Sequence, residues 1–452
     1  MKIPEKPPEL KGLKNRMNEI LSRIKEEKVS FIDLWFSDIL GSVKSLTIPA
    51  KEIERVCEEG VWFDGSSIEG FGRIAESDMY LIPDPETFAL MPKTGERPVS
   101  ARLICNVFAP NYQPFVGDPR FILRNALLSL GKELGSDVSY KVGVELEFYL
   151  FKREGERPIP HDRVSYFDLL GDSGVELRKE ISTYLASLGI QTEAGHHEVG
   201  SGQQEIDLKY SDALKMADNL ITAKVVIKKV AEEKGLYATF MPKPIFGIPG
   251  SGLHIHHSLF RKGENLFASP DDPYGLSLFA YQFLAGELKY IKELSAILSP
   301  TVNSYKRLVS GFEAPVYICW GQMNRSALVR IPKTSPKKLT STRLELRSPD
   351  PACNPYLAFA VILNAGLAGI KEGLSPPPPT EENVYTSEER EKIPTLPRSL
   401  FEALEHFARS EIARKTLGDY LFQKYLEIKM REWQEYSLQV SPWEIERYFP
   451  IY

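Results

Sequence analysis

An α+β architecture in two parts is what this sequence predicts: a small mixed domain over residues 1–110 and a larger α+β domain over residues 111–452. Three observations carry the prediction. Strand-like stretches occur in both parts, in the second with the apolar–polar alternation of a two-residue period. In the second part, helical and strand-like stretches are mixed. Between the parts lies APNYQPFVGDPR (residues 109–120), a linker in which Asp118 and Pro119 cap the helix that follows.

Taken in order, Leu10–Glu27 reads as a basic surface helix, and Ser30–Pro49 as two strands around an Asp38–Gly41 turn, rich in Phe, Ile, Leu, Trp and Val. A short helix over Lys51–Glu59 precedes the Gly- and Ser-rich loop VWFDGSSIEGFGRIAESDM, and further strands run through Asn106. In the larger domain, helices are expected at Pro119–Leu134, Gly174–Leu188, Ser211–Lys234, Gly275–Leu298, Pro355–Lys371 and Ser399–Phe407. Asn354 as cap and Pro355 at the first helical position mark a buried core helix. SPPPPT (Ser375–Thr380) reads as a polyproline crossing on the surface. The final stretch, EWQEYSLQVSPWEIERYFPIY, sets aromatic residues on a charged background and is expected to dock on another surface, another subunit being one candidate.

Composition narrows the partners. A net charge of −5, from 56 basic and 61 acidic residues, makes no electrostatic case for nucleic acid. Cys57, Cys105, Cys319 and Cys353 show no CxxC spacing, so neither a zinc site nor a disulfide framework is expected, and a reducing cytoplasm fits. The start, MKIPEKPPELKGLKNRM, is charged and proline-broken, unlike a signal peptide. The most apolar run, Pro355–Ile370, is interrupted by Asn364 and too short for a bilayer. The expected location is therefore cytoplasmic, with no membrane partner.

The chemistry is concentrated in a few strand-like segments. In KVGVELEFYL (Lys141–Leu150), alternation puts Val142, Val144, Leu146, Phe148 and Leu150 on one face and Glu145 and Glu147 on the other. Neighbouring like charges repel, so something positive is expected between them. LHIHHSLF places His254, His256 and Ser258 together, RLELR places Arg343, Glu345 and Arg347 together, and EIDLKY pairs Glu205 with Asp207. HHEVGSGQQ carries Glu198 in a Gly-rich turn where backbone can approach a ligand. Each motif alone is what a solvated sheet face would also show. If Glu145, Glu147, Glu198, Glu205, Glu345 and His254 lined one cavity, their repulsion would be on the order of several kcal/mol. Divalent cations relieve it, and oxygen-rich ligation points to Mg²⁺ or Mn²⁺. Two ions are expected, because six ligands exceed what a water-keeping Mg²⁺ takes from protein. Lys306, Arg307, Arg325, Arg330, Arg343 and Arg347 add the cationic groups that stabilise a phosphoryl group in transit. No GxxxxGK[ST] or GxGxxG follows a strand, which disfavours P-loop and dinucleotide folds. The combined set reads as a metal- and nucleotide-dependent enzyme.

These motifs resemble the type I glutamine synthetase family nearly end to end. The most specific pieces are MPKPIFG and GSGLHIHHS within Met241–Ser258, NSYKRLVSGFEAP, NRSALVRIP and RSPDPACNPYLAFA. The resemblance implies an amino-terminal β-grasp domain, a catalytic domain with a curved, open, barrel-like antiparallel sheet flanked by helices, and a dodecamer of two hexameric rings with active sites between subunits. It implies that glutamine is made from glutamate, ammonium and ATP through γ-glutamyl phosphate. By matching position, one metal falls to Glu147, Glu198 and Glu205, and the other to Glu145, His254 and Glu345. Tyr210, His256, Ser258, Arg330 and Arg343 match nucleotide positions. Gly250, Arg307, Arg325 and Arg347 match glutamate and phosphate positions. Glu313 falls on a flap over the glutamate entrance, and Asp64 and Ser67 of a neighbouring subunit join Tyr166 and Glu198 around ammonium, with Asp64 drawing off its proton. Pro249 stands where the family commonly has asparagine, which removes a polar contact and an N–H. Arg73 matches an arginine of feedback inhibition in one branch, and Tyr385 aligns near a tyrosine adenylylated in another, though its flanking residues differ. Two other readings of the same pattern are a ligase that joins a larger amine or polyamine to the γ-glutamyl group, and a non-catalytic relative.

Overall fold

Asp38 shows how local chemistry sets the first element. Its carboxylate accepts from the backbone N–H of Leu40 (3.0 Å) and Ser42 (2.8 Å), closing the turn between β1 (Phe31–Ser37) and β2 (Val43–Pro49), with Gly41 at φ +85° as the turn requires. The computed structural model of the chain describes residues 14–66, 68, 70, 78–92, 98–152, 159–311, 314–334, 338–382, 384 and 391–452. Ser67, Arg73, Glu313 and Tyr385 lie outside the described residues.

The amino-terminal unit contains α1 (Lys14–Glu26), β1, β2, α2 (Ile53–Glu59), β3 (Val61–Asp64), β4 (Asp78–Pro83), β5 (Ala89–Leu90) and β6 (Ser100–Phe108). Its strands lie in the order β2-β1-β6-β4-β3, with β5 also on β6. The central β1 and β6 run parallel and the rest antiparallel. The structure corrects the reading of α1 as a surface helix. Ile20 is fully buried, and Met17, Leu21 and Ile24 pack on the same core; the basic residues had obscured an apolar stripe at helical spacing.

The larger unit follows as α3 (Pro119–Leu134), β7 (Val138–Lys152), β8 (Ile159–Pro160), α4 (Val175–Ser187), β9 (Thr192–His197), β10 (Gln203–Asp212), α5 (Ala213–Glu233), β11 (Leu236–Thr239), β12 (Leu253–Arg261), β13 (Glu264–Asn265), α6 (Leu278–Leu298), α7 (Ser304–Arg307), β14 (Trp320–Gly321), β15 (Val329–Arg330), β16 (Leu344–Leu346), α8 (Pro355–Glu372), α9 (Leu400–Ala408), α10 (Glu411–Ser437) and α11 (Pro442–Tyr448). Asp118 does cap α3, accepting from Arg120 N–H at 3.0 Å. Asn354 caps α8, accepting from Tyr356 N–H at 3.1 Å, and Gly373 in the left-handed region ends it. Ser277, not Gly275, caps α6, and Ser211 and Asp212 extend β10 rather than starting α5. The sequence reading missed α10 and α11. Buried residues of α10 form no single stripe, and Gly418 at φ +74° kinks it.

The principal sheet runs β14-β15-β16-β12-β7-β10-β9, with β8 and β11 on β7 and β13 on β12. It is antiparallel except for the short β14–β15 pair. The strand β7 is its axis. Val142, Val144, Leu146, Phe148 and Leu150 are all buried against the helical layer, which includes α3 and α5. That leaves Glu145 and Glu147 on the opposite face. Beyond the helices α3 and α5, α6 and α8 approach so closely that a Cβ on Gly286 would stand 2.1 Å from the Ala365 carbonyl oxygen. The four cysteines are free and buried. Among the described residues, no helix is long and apolar enough to cross a membrane.

Candidate active site

Strand register assembles the site. On β10, Asp207 stands opposite Glu145 and Glu205 opposite Glu147. On β12, His254 stands opposite Glu145, and His256 stands opposite Glu345 of β16, which in turn faces Arg330 of β15. Directly opposed residues on one face of a sheet touch, so five neighbouring strands deliver a continuous row of carboxylates, histidines and arginine. Glu198 joins the row from the turn between β9 and β10.

The row divides into two clusters. In the first, His196 Nε2 lies 3.0 Å from Glu205 and its Nδ1 lies 3.6 Å from Glu198. In the second, Glu145 receives His254 Nδ1 at 2.7 Å and His256 Nε2 at 2.8 Å. Arg343 Nε donates to His256 Nδ1 at 3.1 Å. That nitrogen is therefore the acceptor, and Nε2 carries the hydrogen towards Glu145. Glu345 is almost fully buried between Arg330 at 3.2 Å and Arg347 at 3.1 Å. Ligand atoms of Glu145, His256 and Glu345, and likewise of His196, Glu198 and Glu205, lie within 4.8 Å of one another.

Electrostatics show what the clusters lack. Burial, then the charges of Glu147, Asp207, Glu145 and Glu198, push the Glu205 carboxyl up to about 11. Burial also opposes ionisation of Glu145, but hydrogen bonds from His254 and His256 override it and hold that carboxyl far below its ordinary range. The carboxylates crowded around Glu205, with imidazole alongside, and the oxygen-rich set around Glu145 and Glu345 fit divalent cations of the Mg²⁺ or Mn²⁺ kind.

Two adjoining cavities, a larger and a smaller lobe, open on this row. A lobe of about 770 Å³ is lined by Glu145, Glu147, Glu198, Glu205, His254 and Glu345, and by Tyr166, Pro249, Gly250, Arg307, Arg325, Arg330 and Arg347. A smaller lobe of about 300 Å³ is lined by Tyr210, His256, Ser258 and Arg343 with Thr340–Thr342. Among the described residues, only Glu145 and Asp207 line both. Arg307 is buried, and its guanidinium donates to the carbonyls of Ser348, Pro349 and Arg347. Tyr149 donates to the Pro249 carbonyl at 2.6 Å. Asp64 lines neither lobe and stands exposed at the end of β3, where it accepts from Ser66 N–H.

Sequence reasoning missed three residues of the row. His196 lies two positions before Glu198, a spacing visible in HHEVG. Gln203, opposite Tyr149 in the register, reaches diagonally to donate to Glu147 at 2.8 Å and to the Gly250 carbonyl at 3.1 Å, contacts that only the folded sheet creates. Asp207 was paired with Glu205 by alternation without being given a place in the site.

Fold and site together define a class: two-domain α+β proteins in which one face of a curled sheet gathers carboxylates, histidines and arginines. Two family models match. "Glutamine synthetase, beta-Grasp domain" covers residues 28–110, and "Glutamine synthetase, catalytic domain" covers residues 116–448. The chain belongs to the glutamine synthetase family. A glutamine synthetase of Thermotoga maritima is 49% identical over 433 residues, covering 94% of this chain and 97% of its own. Among solved structures, GmaS in complex with ADP matches with a TM-score of 0.86 at 34% identity, covering 95% of this chain and 99% of its own. The cryo-EM structure of Plasmodium falciparum glutamine synthetase matches with a TM-score of 0.86 at 25% identity, covering 95% and 98%.

Proposed function

We propose that the chain makes glutamine from glutamate and ammonia, converting ATP to ADP and phosphate through γ-glutamyl phosphate. The observation that carries this reading is the row of carboxylates and histidines that lines a larger, arginine-rich lobe and meets a small lobe at Glu145 and Asp207. The small lobe, with Tyr210, His256, Ser258 and Arg343, takes the nucleotide. The larger takes glutamate against Gly250, Arg307, Arg325 and Arg347.

Glu147, Glu198 and Glu205 would hold one Mg²⁺ or Mn²⁺, and Glu145, His254 and Glu345 the other. Bound there, the ions supply charge neutralisation for the phosphoryl oxygens. Arg325 and Arg330 bind the phosphate in transit, adding fixed positive charge where negative charge develops. The γ-carboxylate oxygen of glutamate attacks the γ-phosphorus and ADP leaves. Ammonia then attacks the acyl carbon, and phosphate leaves with the former carboxylate oxygen. Ammonium must lose a proton before its nitrogen can attack; Tyr166 and Glu198 hold it, and Asp64, with Ser67, of a neighbouring copy takes the proton. Glu313 covers the glutamate entrance and excludes water from the acyl phosphate.

We assign the domains to residues 1–110 and 111–452, and the assembly to two stacked hexameric rings in the cytoplasm. Supporting a shared assembly, Trp443, Tyr448, Phe449, Ile451 and Tyr452 at the carboxyl end are exposed, a stretch of apolar surface outside the core formed by the described residues.

The test is direct. Purified protein is incubated with ATP, Mg²⁺, glutamate and either ammonium or a panel of amines, following phosphate and amide together. Glutamine with ammonium is the expected product. Turnover with larger amines alone would establish the amine-ligase reading, and none with any would leave a non-catalytic relative.

A further inference from the structure

His197 is adjacent to Glu198 in sequence, but alternation turns its ring away from the cavity into full burial. Its Nδ1 lies 2.6 Å from the Glu198 carbonyl oxygen, which can only accept. Its Nε2 lies 2.9 Å from Asp162 Oδ1, another acceptor. With an oxygen acceptor at each nitrogen, the ring bridges the Glu198 backbone to the Asp162 carboxylate, whose side chain is only 5% exposed.

The pair spans a particular turn. Asp162 Oδ1 also accepts from Gly202 N–H at 2.9 Å. The His197–Asp162 unit therefore grips the Glu198–Gly202 turn at both ends, its first carbonyl and its last N–H. Gly202 is suited to that grip: its φ is +76°, and a Cβ there would stand 2.7 Å from the Leu150 carbonyl oxygen. The same unit reaches the segment carrying Tyr166, because Phe167 N–H donates to the His197 carbonyl at 3.3 Å and His161 N–H to that of Leu150 at 2.9 Å. The lining of the small lobe includes neither the 161–168 segment nor the turn.

We infer that Asp162 and His197 are positioning residues that hold the Glu198 carboxylate and the Tyr166 ring in fixed relation across the larger lobe. The inference rests on the roles proposed for Glu198 and Tyr166. A buried pair of this kind is weak evidence for stability in itself, but a pair bonded to both ends of a ligand-bearing turn fixes that ligand's direction, as outer partners do at metal sites.

The test uses Asp162→Asn and His197→Gln in the full chain, with two readouts that need no turnover. Mn²⁺ binding, followed by electron paramagnetic resonance, reads the Glu198 side, and ADP binding, followed by calorimetry, reads the small lobe and certifies folding. Both variants are expected to weaken Mn²⁺ binding at least about tenfold with ADP affinity unchanged, and to raise the ammonium KM more than the ATP KM. Unchanged Mn²⁺ binding overturns the inference, as does loss of ADP binding in both variants, which marks the pair as a general support of the fold. Because Mn²⁺ binding does not depend on turnover, an inactive wild-type protein would fail the functional reading separately.

Discussion

Glu145 and Glu147 stand two positions apart on β7, yet their surroundings differ. Glu145 receives two imidazoles, whereas Glu147 receives the amide of Gln203 and, at 2.9 Å, the Gly252 N–H. Apolar alternation in KVGVELEFYL was enough to place both on one face. Their separate partners were not legible, because partners depend on which residues of β10 and β12 stand opposite, and register is set by the whole sheet. His196 and Gln203 escaped the sequence reading for that reason. At this scale, Glu147→Ala and Glu345→Ala are each expected to lower turnover by at least about a hundredfold, with far-UV circular dichroism unchanged. Full activity in either variant would remove it from the ion-binding set.

At the scale of elements, the strands and capped helices were the most readable features. The β7 and β12 patterns and the Asp118-Pro119 and Asn354-Pro355 starts each state their structure locally. The helix α10 did not, since Gly418 interrupts it and offsets the buried stripe of Ala413, Thr416 and Leu417 from that of Leu421, Phe422, Tyr425 and Lys429. The α6–α8 crossing was also hidden, because a glycine in a helix does not announce what approaches it. A Cβ on Gly369 would meet the Gln282 carbonyl oxygen at 2.1 Å, and backbone cannot yield cheaply there. Gly369→Ala is expected to cost about 2–3 kcal/mol through overpacking, read as a lower urea midpoint. An unchanged midpoint would mean that the helices can part without loss.

Across the whole molecule, one buried arginine ties the two units. Arg120 at the start of α3 donates to Asp84 beyond β4 at 2.7 Å and to Asn106 of β6 at 2.6 Å. It also forms paired bonds to Asp218 of α5 at 3.1 and 3.0 Å. Tyr356 of α8 completes the group by donating to Asp218 at 2.6 Å. Nothing in the linker sequence separates this arginine from a surface one; only the docked domains reveal it. Arg120→Met would leave Asp218 buried without its cation, and a loss of about 3–5 kcal/mol in unfolding free energy is expected, measured by chemical denaturation. Stability equal to wild type would show that the carboxylates find other partners.

The same two-unit frame holds the carboxylate row where the two lobes meet at Glu145 and Asp207, and the central claim is that a glutamate oxygen in the larger lobe reaches the phosphorus of a nucleotide in the smaller. Glutamate labelled with oxygen-18 in its γ-carboxylate tests it most directly. With ATP, Mg²⁺ and ammonium, mass spectrometry of the released phosphate is expected to find a single labelled oxygen in each phosphate and glutamine as the amide product. Unlabelled phosphate accompanying glutamine would contradict the account, because the carboxylate oxygen would then never have been joined to phosphorus.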